Sequence, residues 1–350
     1  MSSDKRFLKF IAYLQIIGII LVVFGHSFHE YPSEKYGTDL LVYRMMYSFR
    51  MPLFMFVSGY LMVFTTMMRP GPGKSVSEFT KGKIKRLLLP FFVLSLVTFV
   101  PRSLMGNMAD EPLSLSWSSL VESLLIHDKL VISFFWFLQA SFMLLVFNYS
   151  LLKLGRKARL DDHALYTIIV AFFIVLPYFF PYDALGNYFS LERAVTFGLF
   201  FVCGAAYCRF SEFFDYYIPW TSFIFLGVTA SAWAVLFFLT ENTDYSRICS
   251  LAGILMCVSL ARILVKYDIR FLDHLIGANY MIFLLSWYCN VASQQVLHHF
   301  VELPWWCYTI LSLVSGIYIP WLGYRYLQSH PQSRWVRITA LLLGQSFKKK

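Results

Sequence analysis

Charge is what this sequence has least of: Asp, Glu, Lys and Arg make up 14% of its 350 residues, while 58% are hydrophobic. A water-soluble domain carries about a quarter of its residues charged, so an ordinary soluble globule is excluded. Cysteine is scarce too. The six present (Cys203, Cys208, Cys249, Cys257, Cys289, Cys307) lie within or at the ends of apolar segments, with no Cys-x-x-Cys pair and no His/Cys ligand spacing. Neither a disulfide framework nor a metal site is implied. Acids are outnumbered, 20 against 30 bases. The bases, however, are scattered between apolar runs rather than gathered on a stripe with interleaved aromatics, which argues against a nucleic-acid partner. No internal repeat of the kind that many transporters carry as two related halves is visible.

Long apolar runs are what the sequence does have. They fall at 7–28, 41–67, 87–105, 131–152, 164–181, 193–208, 217–239, 247–265, 276–297 and 304–326. Helices of roughly 20 residues cross a bilayer, and the connections are too short for a separate soluble domain. The expected fold is an all-α, polytopic integral membrane helix bundle of about ten transmembrane helices. Residues 1–327 form the membrane domain and 328–350 a basic cytoplasmic tail. The N-terminus is basic and runs into an apolar stretch without a small-residue cleavage site, so it reads as a retained first helix.

Loop charge tests the count, because an error of one helix inverts every later loop. One set of connections holds Lys5, Arg6 and Lys9, then Arg69 to Arg86, then Lys153 to Arg159, Arg209, Arg262 to Arg270, and Arg325 to Lys350. The alternate set holds acids: Glu30, Glu34, Asp39, Asp110, Glu111, Asp183, Glu241, Asp244 and Glu302. This places both termini in the cytoplasm and the protein in the cell (inner) membrane as a multi-pass protein. Within the outer 106–130 connection, Trp117, Leu120, Leu124 and Leu125 recur at helical spacing and predict a short interfacial helix. The apolar and basic tail from Trp335 suits the anionic inner surface.

Few polar groups sit inside the apolar runs, and these are the candidates for chemistry. Gln15 and His26 in the first run are eleven residues apart, which at about 100° per residue puts both on one helix face some 16 Å apart. A lone helical histidine is more often a packing residue than a catalyst, but ionisable groups at membrane depth usually face a cavity or pathway. Arg50 in Phe49-Arg-Met-Pro-Leu-Phe lies a turn or two inside the membrane and needs a partner, unless it snorkels to the outer interface. Pro52 permits a kink, and Ser58-Gly59 permits close helix approach. The run Lys81-Gly-Lys83-Ile-Lys85-Arg86-Leu-Leu-Leu-Pro90, read as a loop, puts four cations at the inner mouth of the third helix. Such a cluster suits the phosphates of a nucleotide-containing cofactor, and equally a topology signal or an anionic-lipid contact.

Taken in order, the His26 helix, the Phe49-to-Tyr60 segment, the basic run ending Arg86-Leu-Leu-Leu-Pro90 and Phe135-Trp136-Phe137-Leu138 resemble the acyltransferase 3 family of membrane proteins. Within it the chain looks most like the fucose 4-O-acetylase and exopolysaccharide O-acetyltransferase branch. The resemblance implies transfer of an acyl group, commonly acetyl from cytoplasmic acetyl-CoA, to a sugar hydroxyl of a cell-surface or secreted polysaccharide. His26 maps onto the family's catalytic histidine. The chain departs from the pattern in three places: Gln15 stands where Arg or Lys is usual, Arg50 where His often precedes Met-Pro, and Ser286 where a late His is usual.

On that basis His26 is the expected base, or the carrier of an acetyl-histidine intermediate, Glu30 a group one turn on that orients it, and Arg50 the stabiliser of an oxyanion or the anchor of an anionic acceptor. Gln15, Lys81, Lys83 and Arg86 are assigned to the donor; Ser58, Tyr60, Trp136 and Arg193 to the acceptor. No tightly bound cofactor or metal is expected. The partners are an acyl-CoA donor, a glycan or lipid-linked sugar acceptor and membrane lipids. The rival reading is a transporter or flippase of a lipid-linked glycan without acyl-transfer chemistry. The lack of acids at mid-membrane argues against ion coupling.

Overall fold

The computed structural model describes residues 3–28, 37–68, 73–105, 113–180, 187–240, 246–300 and 303–345. The chain is helical and strand-free among these residues, apart from one isolated bridge between Ile126 and Tyr188. In order the helices are α1 (Ser3–Ser27), α2 (Gly37–Thr66), α3 (Val76–Lys83), α4 (Leu89–Met105), α5 (Trp117–Leu125), α6 (Trp136–Lys157) and α7 (Asp162–Phe179). There follow α8 (Leu191–Arg209), α9 (Ser211–Tyr217), α10 (Phe223–Leu239), α11 (Arg247–Lys266), α12 (Asn279–Phe300), α13 (Trp305–Ser329) and α14 (Arg334–Leu342).

All ten apolar runs are helical. Among the described residues, eight helical segments are long and apolar enough to cross a membrane by length and composition. Of the other two, Phe223–Leu239 is shorter than that limit. α12 is long enough but carries Asn290, Gln294 and Gln295 among its apolar residues. The fold is an all-α polytopic membrane bundle.

The basic run before Pro90 is helical rather than a loop. Ser75 caps α3 by accepting from the Glu78 backbone N–H, and the Glu78 carboxylate accepts in return from the Ser75 N–H, a capping box that starts the helix well before the apolar run. From Lys83 the chain continues through a π-helical turn, Ile84–Leu88, into α4. The widened turn keeps the segment continuous while rotating Lys85 and Arg86 relative to α3.

The chain forms two compact units, residues 1–57 with 210–330 and residues 58–209 with 331–350. In the first, α1 packs on α11, α12 and α13, α10 on α11, and α12 on α13. Because lipid tails are as apolar as leucine, such contacts rest on close packing and interhelical hydrogen bonds. Examples of the latter are Trp233 Nε1 to Ser48 Oγ at 3.1 Å, Ser250 Oγ to the Ser48 carbonyl at 2.6 Å and Ser259 Oγ to the Trp220 carbonyl at 2.8 Å. At the basic end of α1, Lys9 Nζ lies 3.0 Å from Asp268 and 3.3 Å from Asp273.

In the second unit α6, α7 and α8 pack together, α3 and the π turn lie on α6, and α14 lies on α4. The segment Ser58–Thr66 of α2 meets α8 backbone to backbone: a Cβ on Gly59 would stand 1.8 Å from the Phe201 carbonyl oxygen. This is the close approach that the Ser58-Gly59 pair permits.

Candidate functional site

Arg50 is 4% exposed, in the apolar part of α2. Its guanidinium carbon stands 4.4 Å above the Tyr47 ring and 5.3 Å from the Tyr43 ring, both one or two turns back on the same helix. Nη2 reaches the Tyr43 hydroxyl at a long 3.5 Å. Nε and Nη1 are buried with no hydrogen-bond partner among the described residues. No carboxylate among the described residues pairs with the group. Ring faces compensate part of the charge, but each of the two nitrogens without an acceptor among the described residues costs roughly 1–3 kcal/mol in a protein interior. Arg50 is buried rather than snorkelled.

The Nη1 edge of Arg50 faces α1. A Cβ built on Gly25 would lie 1.5 Å from Arg50 Nη1 and 2.8 Å from Cζ, so the guanidinium occupies the space that any side chain at position 25 would need. The next residue is His26, half-buried in the last turn of α1. The buried cation thus lies against the residue that precedes His26 in α1. Glu30, the expected orienting group, lies outside the described residues.

The end of α1 is held by polar groups of α12. Gln294 Nε2 donates to the Ser27 carbonyl at 2.7 Å and to Ser312 Oγ at 3.0 Å, satisfying a carbonyl that the helix end leaves open. The Asn290 amide lies among the Val23, Ser286 and Ser312 carbonyls. Ser286, where the family pattern has a late histidine, is 1% exposed on this same face of α12. Ser286, Asn290 and Gln294 follow one another at intervals of four residues, a polar stripe legible in the sequence but not read from it. Midway along α1, Gln15 Oε1 accepts from Asn279 Nδ2 at 3.5 Å.

The basic mouth belongs to the second unit. Lys81, Lys85 and Arg86 are exposed and Lys83 is half-buried. Lys83 Nζ lies 4.9 Å above the Phe79 ring, which stacks at 4.0 Å on Tyr149, whose hydroxyl donates to the Lys74 carbonyl at 2.6 Å. An aromatic column on α3 and α6 therefore fixes the stem of the cluster. Behind Arg86 lies the tail: Gly344, at φ 64°, follows α14, and a Cβ there would stand 2.5 Å from the Arg86 carbonyl oxygen.

The four residues assigned to the acceptor divide into two places. Ser58 and Tyr60 flank the Gly59 crossing; Tyr60 is fully buried, with its ring 5.8 Å from Tyr207. Trp136 and Arg193 come together at the other end of α6 and α8, with the Arg193 guanidinium carbon 5.6 Å from the Trp136 ring. His127, which the sequence reading did not single out, joins them. Arg193 Nε donates to His127 Nε2 at 3.2 Å. Burial and the Arg193 charge, opposed by Asp128, hold the imidazole pKa down at about 4.

Eight described helices long and apolar enough to span, with polar groups buried among them, mark a polytopic membrane protein. The family model described as an acyltransferase domain matches residues 8–325. The chain therefore belongs to the acyltransferase 3 family and is a multi-pass membrane acyltransferase. No curated protein and no solved structure matches it.

Proposed function

We propose that this enzyme moves acetyl from cytoplasmic acetyl-CoA to a hydroxyl of a cell-surface or secreted polysaccharide, as do the O-acetyltransferases of the branch it resembles. The observation that carries this reading is the buried guanidinium of Arg50, with two nitrogens lacking an acceptor among the described residues, packed against Gly25, the residue that precedes His26. A neutral imidazole at His26 takes the proton of the attacking hydroxyl. The oxygen bonds to the thioester carbonyl carbon, and Arg50 Nε and Nη1 donate to the oxyanion that forms. Collapse breaks the C–S bond, and the proton passes to the departing thiolate, leaving an O-acetyl ester and CoA. General base catalysis contributes about 10²- to 10⁴-fold, and a preorganised oxyanion donor about 10²- to 10³-fold.

Lys81, Lys83 and Arg86 are the proposed phosphate contacts of the donor, with Gln15 a hydrogen-bonding group for its amide-bearing arm. Ser58, Tyr60, Trp136 and Arg193 are assigned to the acceptor, Glu30 to the orientation of His26. The basic side of the bundle, with both termini, faces the cytoplasm of the inner membrane. Membranes containing the protein, supplied with acetyl-labelled acetyl-CoA, should place label in glycan; His26→Ala should abolish this while inserting normally. Full labelling by His26→Ala would remove the imidazole from the reaction. Glycan translocation without label would favour a flippase.

A further inference from the structure

The cluster around Arg193 is built more elaborately than a packing contact requires. Because Arg193 Nε donates to His127 Nε2, the imidazole proton sits on Nδ1, 3.3 Å from Ser190 Oγ. Ser190 Oγ donates to Gln139 Oε1 at 2.6 Å, and Gln139 Nε2 donates to the Leu124 carbonyl at 2.9 Å. The chain of donors runs one way from the guanidinium to the backbone, and it fixes both the histidine tautomer and the arginine orientation. Ser190 is fully buried and takes part only because Phe189 and Ser190 both adopt left-handed backbone, at φ 51° and 56°. Two successive non-glycine residues there cost on the order of 1–2 kcal/mol each. The strained turn is clamped by Phe189 N to the Leu125 carbonyl and His127 N to the Asn187 carbonyl.

All this construction presents a half-buried cation with no balancing charge among the described residues. Its Nε is used by a neutral ring, one face lies toward Trp136, and no carboxylate among the described residues lies within ion-pair reach. Trp136 is itself 8% exposed and stacks on Phe197 at 5.3 Å, so the indole supports the guanidinium rather than offering a free face to a sugar. The two terminal nitrogens form a fork suited to a planar or tetrahedral oxyanion.

We propose that the Arg193 guanidinium, seated on Trp136 and tethered through Nε to His127, is the receptor for an oxyanion carried by the acceptor, of the class found in a uronic-acid sugar. This rests on the acyl-transfer reading for the word acceptor, but the binding itself does not. His127, Ser190 and Gln139 are positioning residues that act through Arg193.

The test is binding to the full-length protein in a neutral detergent, read as ligand-induced thermal stabilisation, with sodium glucuronate, inorganic phosphate and glucose as probes. Glucuronate should stabilise and glucose should not. Arg193→Gln should weaken the response at least about tenfold, and Arg193→Lys, which keeps the charge but loses the fork, should weaken it measurably. His127→Ala should weaken it, while His127→Gln, whose amide oxygen can accept from Arg193 Nε, should recover most of it; a purely structural histidine would not show that rescue. Phosphate binding in place of glucuronate keeps the receptor and assigns the oxyanion to the phosphate of a lipid-linked acceptor. No response to either anion in folded protein, or an equal response in Arg193→Gln, overturns the proposal. Loss of acetyl transfer with anion binding intact would instead count against the reaction.

Discussion

Substituting Gly25→Ala tests the crossing on which the mechanism depends. The new methyl would arrive 1.5 Å from Arg50 Nη1, a separation no pair of atoms tolerates, so either the guanidinium or the helix must move. Alanine gains about 1 kcal/mol of helix propensity over glycine, and overpacking costs about 1–3 kcal/mol. Net destabilisation should thus be between roughly 0 and 2 kcal/mol, small enough for the protein to insert and fold. The chemistry should suffer far more, because displacing the guanidinium by an ångström or more removes donors worth about 10²- to 10³-fold in rate. The control is Gly18→Ala on the same helix, where the added Cβ meets Phe54 Cε2 at 3.1 Å and a ring tilt relieves it. Thermal unfolding in detergent and acetyl transfer to glycan would be measured for both variants, with Arg50→Gln as reference. Gly25→Ala should resemble Arg50→Gln in rate and Gly18→Ala the unsubstituted enzyme. Full turnover by Gly25→Ala, or equal losses in both glycine variants, would refute the placement of Arg50 in the reaction.

Gly344→Ala should strain a left-handed position by about 1–2 kcal/mol and press on the Arg86 carbonyl. The expected result is a KM for acetyl-CoA raised severalfold with little change in kcat, together with faster proteolysis of the tail. Asp268 is held down at about 2 from its ordinary 3.8 by hydrogen bonds from Arg270 first and Lys9 second. Its contribution to stability is therefore present above pH 3.8 and lost as pH falls toward 2. The melting difference between the protein and Asp268→Asn should close over that window. His127, lowered from 6.5 to about 4, stabilises the fold fully above pH 6.5 and progressively less as pH falls toward 4. Melting curves of His127→Gln should be flatter across that range.

Much of the architecture was legible in advance because membrane helices obey a one-dimensional rule. An apolar run of sufficient length must satisfy its backbone internally, and the ten runs are all helical. The third began earlier than its hydropathy suggested, because a capping box at Ser75 and Glu78 nucleates helix without apolar residues. The ordered motifs pointed to an acyltransferase, and the family match over residues 8–325 agrees. His26 and Arg50 stood out as ionisable groups in apolar surroundings.

The sequence by itself determined the helices and the family, because both follow from residue order along a chain whose solvent is lipid. Only tertiary structure decided that Arg50 is buried against Gly25, with two nitrogens lacking an acceptor among the described residues, since nothing in the linear pattern records which face of a helix meets which neighbour. The same holds for the cluster of His127, Gln139, Ser190 and Arg193, whose hydrogen bonds join residues up to 66 apart in sequence. A polar group in an apolar run announces a need for a partner. Which partner it gets depends on helix rotation and on strained turns such as Phe189–Ser190, and those are properties of packing in three dimensions.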